Sequence, residues 1–304
     1  MYDLVIIGGG PAGLSASVYA KRAMLNTVVI EKQPINGGQV LNTYEVDNYL
    51  GIPDIDGFNL AKKFKEHAEK LGAEFLKGEV KEIIDKNDFK EVILKNDDKI
   101  DTKAVIVATG TFYRKLNIDG EKRLRGMGVS YCATCDGSFF RNKITAVVGG
   151  GDVALEDAVF LSRMCEKVYI IHRRDKFRGT KILREKVESI KNIEILYNTV
   201  TEEIKGENEV EGLLLKNVNT GKTFDISVNG VFIAIGTIPD TGFLKGLIEL
   251  DDNGYVIAEE DGITSREGIF AAGDIRLKAL RQIITAASDG ANCVYSAEKY
   301  IEKI

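Results

Sequence analysis

Short apolar runs that stop on glycine divide this chain. Leu4-Val5-Ile6-Ile7 runs into Gly8-Gly9-Gly10, which predicts a buried parallel strand entering a turn. Pro11 to Met24 then carries Leu14, Val18 and Leu25 at helical spacing, and Thr27-Val28-Val29-Ile30-Glu31 predicts a second strand. Together these make a βαβ unit. The pattern repeats. Ile144-Thr145-Ala146-Val147-Val148 meets Gly149-Gly150-Gly151, Asp152 to Met164 predicts a helix, and Val168-Tyr169-Ile170-Ile171-His172 the next strand. The step from Gly8 to Gly149 equals that from Glu31 to His172, so one unit occurs twice. Each copy is closed later by an apolar run with small residues at its end, Ala104 to Gly110 and Val231 to Gly236.

Thr111–Lys115 and Thr237–Gly242 follow those closing runs and can serve as crossings between domains. Beyond the second crossing the chain holds Gly268-Ile269-Phe270-Ala271-Ala272-Gly273-Asp274 and a helical stretch from Leu280 to Ile301. This remainder is too short for a further domain, and the simplest assignment returns it to the first. The expected fold is therefore α/β, with two nested Rossmann-like dinucleotide-binding domains. The second is inserted in the first and joined to it by a two-strand hinge. The expected boundaries are 1–113, 114–241 and 242–304. Between the units, Asn59 to Leu71 predicts an amphipathic helix, with Asn59 as N-cap, Leu60, Phe64 and Leu71 as its stripe and Gly72 as its stop.

Composition narrows the class. The 304 residues are 44% hydrophobic and 29% charged, as in ordinary globular proteins. The 41 Lys and Arg against 46 Asp and Glu give a net charge of −5, which argues against a nucleic-acid footprint or a polybasic membrane anchor. Two His and four Cys leave little room for a zinc site, so no metal is expected. No stretch approaches the roughly 18 apolar residues of a membrane span. The start of the chain lacks the pattern of a signal peptide, and a cytoplasmic location is expected. There, a close Cys pair points to catalysis or metal binding sooner than to a structural staple.

The first turn reads Gly8-x-Gly10-x-x-Gly13 between strand and helix, with Glu31 at the end of the following strand. This is the dinucleotide fingerprint in its required context. Gly8 permits the tight turn, Gly10 the approach of a pyrophosphate to the backbone, and Gly13 close helix–strand packing. Glu31 can accept hydrogen bonds from ribose hydroxyls. The second turn reads Gly149-x-Gly151-x-x-Ala154, and Ala is an accepted third member. At the end of its second strand stand His172, Arg173 and Arg174, with Arg178 a turn further on. Guanidinium groups bind a 2′-phosphate where a carboxylate would repel it, so this site suits NADPH over NADH. A solvated basic edge is the plainer alternative for these arginines. The acid-type first site, with the C-terminal remainder to enclose it, suits a resident FAD.

Cys132-Ala133-Thr134-Cys135 precedes the second unit's first strand. At this spacing two Cys can close a small disulfide ring, and a position at a helix start would lower a thiol pKa. Two inert buried thiols are the alternative. Asp136 follows directly and is a candidate proton donor to a leaving thiolate. Cys165 and Cys293 read as small core residues.

These strings resemble the bacterial low-molecular-weight thioredoxin reductases. The resemblance rests on Gly8-Gly9-Gly10-Pro11-Ala12-Gly13, Gly37-Gly38-Gln39, Cys132-Ala133-Thr134-Cys135-Asp136, Gly149-Gly150-Gly151-Asp152, His172-Arg173-Arg174-x-x-x-Arg178 and Ala271-Ala272-Gly273-Asp274. It runs in order from about Tyr2 to the end, and the Cys string inside the second domain is its most specific element. It implies a homodimer with FAD in the first domain, NADPH in the inserted one, and thioredoxin as partner. It also implies that Cys135 faces the flavin, that Cys132 attacks the thioredoxin disulfide, and that Asp136 serves as acid and base. Gly38, Gln39, Asn48, Asp274 and Gln282 would contact FAD, with Arg281 nearby. Pro11, Ala12, Thr109, Gly110 and Gly273 complete the expected flavin cradle, and Asp152 the nicotinamide one. Family members rotate one domain against the other, which agrees with a double-strand hinge. Leu50 stands where many members have Pro, and Gly179-Thr180 replaces more usual residues; neither removes a chemical group. A ferredoxin-fed flavin thioredoxin reductase, a small-molecule dithiol oxidase and a non-enzymatic nucleotide sensor are the readings to be told apart from this one.

Overall fold

A computed structural model describes residues 1–43, 46 and 48–304. The chain divides into two compact units, Met1–Phe112 with Ile238–Ile304, and Tyr113–Thr237. In the first, the strands β1 (Tyr2–Ile7) and β2 (Thr27–Glu31) flank helix α1 (Pro11–Arg22). Helix α2 (Gly57–Lys70) follows, then β3 (Glu74–Lys77), β4 (Val80–Asp85), β5 (Lys90–Leu94) and β6 (Lys99–Val107). The chain leaves through β7 (Thr111–Tyr113).

The second unit holds β8 (Val129–Ser130), the single turn α3 (Ala133–Asp136), β9 (Ile144–Gly149), α4 (Asp152–Ser162) and β10 (Lys167–Ile171). It continues with α5 (Lys181–Ser189) and β11 (Ile193–Leu196). A meander of β12 (Thr199–Lys205), β13 (Gly212–Asn217) and β14 (Thr223–Ser227) comes next, before β15 (Gly230–Ala234). The chain returns through β16 (Thr237–Pro239), which pairs with β7, and finishes the first unit with β17 (Ile269–Ala271) and α6 (Ile283–Ile301).

The first sheet runs β3-β2-β1-β6-β5-β4, with β17 also on β6. The β3, β2, β1, β6 and β17 pairings are parallel, and β4-β5-β6 are antiparallel. The central strands carry continuous apolar runs, Leu4 to Ile7, Val28 to Ile30 and Ala104 to Val107, because both faces are covered there. Alternate residues Val5, Ile7, Val28, Ile30, Val105 and Val107 pack with Val80, Val92 and Leu244 on one face. Leu4, Ile6, Val29, Ala104 and Ile106 face Ala12, Ala16 and Ala20 of α1 and Cys293, Val294 and Ala297 of α6 on the other. Small residues on those helices let them lie close to the sheet. The second unit repeats the plan with a parallel sheet β11-β10-β9-β15-β8. Helix α4 covers one face through Ala154, Leu155, Ala158 and Leu161. The antiparallel meander covers the other through Leu213 and Leu215. Among the described residues no helix is long and apolar enough to cross a membrane.

The sequence placed these βαβ elements within a few residues. Helix α1 stops at Arg22, short of Met24, which takes a left-handed φ of 57° and is exposed. The N-cap of α2 is Asp56, whose carboxylate accepts from the Asn59 N–H at 2.8 Å; Asn59 lies inside the first turn. Helix α6 starts at Ile283, where Gln282 and Thr285 form a reciprocal capping box. The hairpin of β4 and β5 and the meander β12–β14 were not expected. The β4–β5 hairpin is turned by Asn87 at φ 68°, without a glycine, and the meander's first strand carries a register shift at Thr201–Glu203 that breaks its alternation.

Candidate active site

At the first glycine turn the backbone geometry demands the missing side chains. Gly8 has φ +109°, and a Cβ there would stand 2.4 Å from the Ala108 oxygen. A Cβ on Gly13 would stand 1.8 Å from the Gly8 oxygen, so only glycine lets α1 approach β1 this closely. At Gly10 the nearest atom to a Cβ is the Gly38 Cα at 3.9 Å, so space opens beside the first turn of α1. Pro11 and Ala12 begin that helix, and Gly10 is its N-cap. The Gly9 N–H donates to Glu31 Oε2 at 2.6 Å and the Gln33 N–H to Oε1 at 2.7 Å. Glu31 thus ties the strand end to the turn, and each oxygen keeps a lone pair for another donor.

The C-terminal segment brings Gly273 and Asp274 to the same turn, with the Gly273 Cα facing Ala12. Gly273 has φ +80°, and its N–H donates to Asp289 Oδ2 on α6 at 2.9 Å. Asp289 is buried and paired to Arg276 at 2.7 Å and Lys278 at 2.8 Å; Arg276 also donates to the Ala258 and Glu259 carbonyls. This network fixes the Gly273-Asp274 backbone, and the sequence reading missed it. Oδ1 of Asp274 is buried and meets no hydrogen-bond partner among the described residues. Burial pushes the Asp274 carboxyl up, against the pull of Lys278 and Arg281.

Gln39 donates to the Thr111 carbonyl at 2.7 Å, Asn48 donates to the Gln282 carboxamide oxygen at 3.1 Å, and Arg281 lies over the Tyr255 ring at 4.3 Å. Gly110 has φ +68° with open space where its Cβ would be, and the Thr109 hydroxyl donates to the Asp240 carbonyl at 2.9 Å. Lys32, which sequence reasoning also missed, pairs with Asp240 at 2.5 Å. An open cradle at Gly10, an orphaned acceptor on Asp274 and a ribose-type acid at Glu31 form a donor set that fits a dinucleotide with hydroxyls to spare, such as FAD.

The second turn is built alike but braced differently. A Cβ on Gly149 would stand 2.4 Å from the Ala234 oxygen, while Gly151 opens on free space. A Cβ on Gly150 would enter the His172 ring at 2.2 Å. His172 lies beneath the turn, buried, with Nδ1 3.0 Å from the Gly149 carbonyl and Nε2 3.0 Å from the Lys176 carbonyl. Burial lowers its pKa, and the Arg174 and Arg178 charges add to that, against the two carbonyls. Both ring nitrogens face backbone, so His172 supports the turn. Arg173, Arg174 and Arg178 are exposed. The loop bearing them folds back: the Arg178 N–H donates to the Gly150 carbonyl at 2.8 Å, and Asp152 accepts from the Thr180 N–H at 2.7 Å. Exposed guanidinium groups beside an open glycine turn suit a phosphorylated ribose.

Cys132 and Cys135 are joined in a disulfide. Cys132 is the N-cap of α3, and both the Cys135 and Asp136 N–H groups donate to its carbonyl. Because α3 is one turn long and these N–H groups are taken, little helix dipole is left to act on a thiol. Asp136 Oδ2 accepts from the Ser130 hydroxyl at 2.5 Å, and the same hydroxyl accepts from the Cys132 N–H at 3.1 Å. Asp136 Oδ1 is buried and meets no hydrogen-bond partner among the described residues. Burial raises the Asp136 carboxyl, and the Ser130 bond opposes that rise. Cys165 and Cys293 are buried and free.

A redox disulfide beside a carboxyl with one oxygen unpartnered among the described residues, in a chain with two dinucleotide turns, defines a class of flavin- and nicotinamide-linked disulfide enzymes. The chain belongs to the pyridine nucleotide-disulphide oxidoreductase family, whose model matches residues 2–290. It is 44% identical to the thioredoxin reductase of Bacillus subtilis over 305 residues, covering 100% of this chain and 96% of that protein. It is 43% identical to the thioredoxin reductase of Listeria monocytogenes, covering 100% and 95%. The crystal structure of thioredoxin reductase from Streptococcus pyogenes superposes with a TM-score of 0.93 at 43% identity, covering 100% of this chain and 99% of that one.

Proposed function

We propose that this chain is an NADPH-dependent thioredoxin-disulfide reductase. Electrons pass from NADPH, through FAD and the Cys132–Cys135 disulfide, to the disulfide of thioredoxin. The observation that carries this reading is the disulfide itself, set beside a carboxyl whose Oδ1 is buried without a partner among the described residues. The first unit holds FAD on Gly8, Gly10, Pro11, Ala12, Gly13, Glu31, Gly38, Gln39, Asn48, Thr109, Gly110, Gly273, Asp274, Arg281 and Gln282. The second holds NADPH on Gly149, Gly151 and Asp152, with Arg173, Arg174 and Arg178 on the 2′-phosphate and His172 beneath. Bound FAD supplies the two-electron relay between nicotinamide and disulfide.

Once the pair is reduced, Cys132 is the attacking thiolate and Cys135 resolves the mixed disulfide, while Asp136 gives and takes the proton. The protein works as a homodimer in the cytoplasm, with thioredoxin as its partner and neither nucleic acid nor membrane involved. Bleaching of the purified yellow protein by NADPH under anaerobic conditions tests the donor and separates this reading from a ferredoxin-fed enzyme. Oxidised thioredoxin should then restore the colour. Cys132→Ser should keep the bleaching and abolish thioredoxin reduction; retention of that activity would sink the assignment.

A further inference from the structure

The acid beside the disulfide has two oxygens in unlike surroundings, and Ser130 is the cause. Ser130 ends β8, the edge strand held parallel to β15 by the Ser130–Phe232 register, and is buried. Its hydroxyl has one proton and three neighbours: Asp136 Oδ2 at 2.5 Å, the Cys132 N–H at 3.1 Å and the Cys132 carbonyl at 3.4 Å. The short, charge-assisted contact takes the proton. The lone pairs then receive the Cys132 N–H. Oδ2 is thereby committed as an acceptor, and any proton on the carboxyl sits on Oδ1, the buried oxygen without a partner among the described residues.

We infer that Ser130 is a positioning residue of the dithiol reaction, which selects Oδ1 of Asp136 as the proton-carrying atom and fixes it relative to the Cys132 backbone. This rests on the reading of Cys132 and Cys135 as the exchanging pair. The Cys132 thiolate attacks one sulfur of the substrate disulfide, a Cys132–substrate bond forms, and the substrate S–S bond breaks. The leaving sulfur takes the proton from Oδ1 and departs as a thiol. Cys135 then returns a proton to Oδ1 and attacks the Cys132 sulfur. The Cys132–Cys135 bond forms and the second substrate sulfur leaves as a thiolate. The dithiol is oxidised, the substrate disulfide is reduced, and Asp136 ends as it began.

Other titratable groups around the carboxyl are few. Cys132 and Cys135 titrate once reduced. Tyr131 has its hydroxyl on Glu121 at 2.7 Å. Helix α4, packed on α3, carries Asp152, Glu156 and Asp157. Only burial and the Ser130 bond act on Asp136 appreciably, so Ser130 is the handle by which its titration can be moved.

The test is the rate at which dithiothreitol-reduced holoenzyme exchanges with oxidised thioredoxin and with a small aromatic disulfide, measured in single turnovers from about pH 5 to 9. Ser130→Ala should slow exchange about tenfold with both substrates. It should also move the alkaline fall of the rate upward, because the bond that favours the carboxylate is gone. Bleaching of the flavin by NADPH should stay at the wild-type rate, which also shows that the variant is folded. Against an Asp136→Asn background the same substitution should change the rate less than about twofold. Wild-type rate and midpoint in Ser130→Ala, or the same tenfold loss in the Asp136→Asn background, would overturn the inference. If the unmodified reduced protein exchanges with neither disulfide, the parent reading itself falls.

Discussion

Asp157 shows how a single side chain can carry a pH dependence that the reaction does not need. It lies half-buried on α4, and burial, reinforced by the Glu156 charge, pushes its pKa up to about 7. The folded state therefore holds a proton that the unfolded chain has already released above its ordinary value of 3.8. Stability falls as pH rises through that window, because the folded state binds more protons there. Asp157→Asn should match the wild type near pH 4 and melt higher at pH 7, by roughly 3 °C. Scanning calorimetry at the two pH values decides it; an equal difference at both would dismiss the account. Single residues were also where the sequence was least legible. Glycines and cysteines announce themselves through spacing, because the backbone or the sulfur chemistry dictates it. Ser130 and Asp289 act through contacts that no motif encodes, one across a turn and one from mid-helix. His172 stood where a ribose-reading group belongs, yet the absent Cβ of Gly150 makes room for its ring beneath the turn.

The elements that matter most for chemistry are short and borrowed from the backbone. The loop from Arg173 to Thr180 is held by its own N–H groups to Gly150 and by Asp152, so its guanidinium groups are left to solvent. Replacing Arg173, Arg174 and Arg178 together by Ala should leave the loop in place and remove only the charge. The KM for NADPH should rise by about two orders of magnitude, with that for NADH changed little. A parallel rise for NADH, read from initial rates of flavin bleaching, would mean that the loop itself had moved. The paired βαβ units were readable because buried parallel strands are apolar on both faces and stop at glycines. The capping of α2 by Asp56 instead of Asn59 was not, since both are good caps three residues apart and only the chain entering the helix chooses between them. The meander β12–β14 escaped because its alternation is broken by a bulge at Thr201–Glu203.

At the scale of the whole molecule, each unit carries complete cores of its own. The second has both faces of its sheet covered, by α4 on one side and the meander on the other. A fragment of residues 113–237 should therefore fold by itself, melt cooperatively, keep the Cys132–Cys135 disulfide and be colourless. Circular dichroism during heating checks this; a broad, gradual melt would show that it depends on the rest of the chain. The nesting was legible from the repeated unit and the leftover C-terminal strand and helix. The crossings were expected as a two-strand hinge, and β7 and β16, three residues each, do pair; their bounds were not legible, because strands so short carry no periodicity of their own.

That the crossings pair has a consequence for ancestry and for engineering. Strands in one sheet run about 5 Å apart, so the inserted unit begins and ends at neighbouring points. To its host it is the equivalent of a hairpin loop, and loop length adds only slowly to closure entropy. Any module whose own termini are adjacent could be spliced between Phe112 and Ile238 with the host sheet intact. The architecture is thus a socket, into which recombination can plug a different redox head while the parent framework goes on folding unchanged.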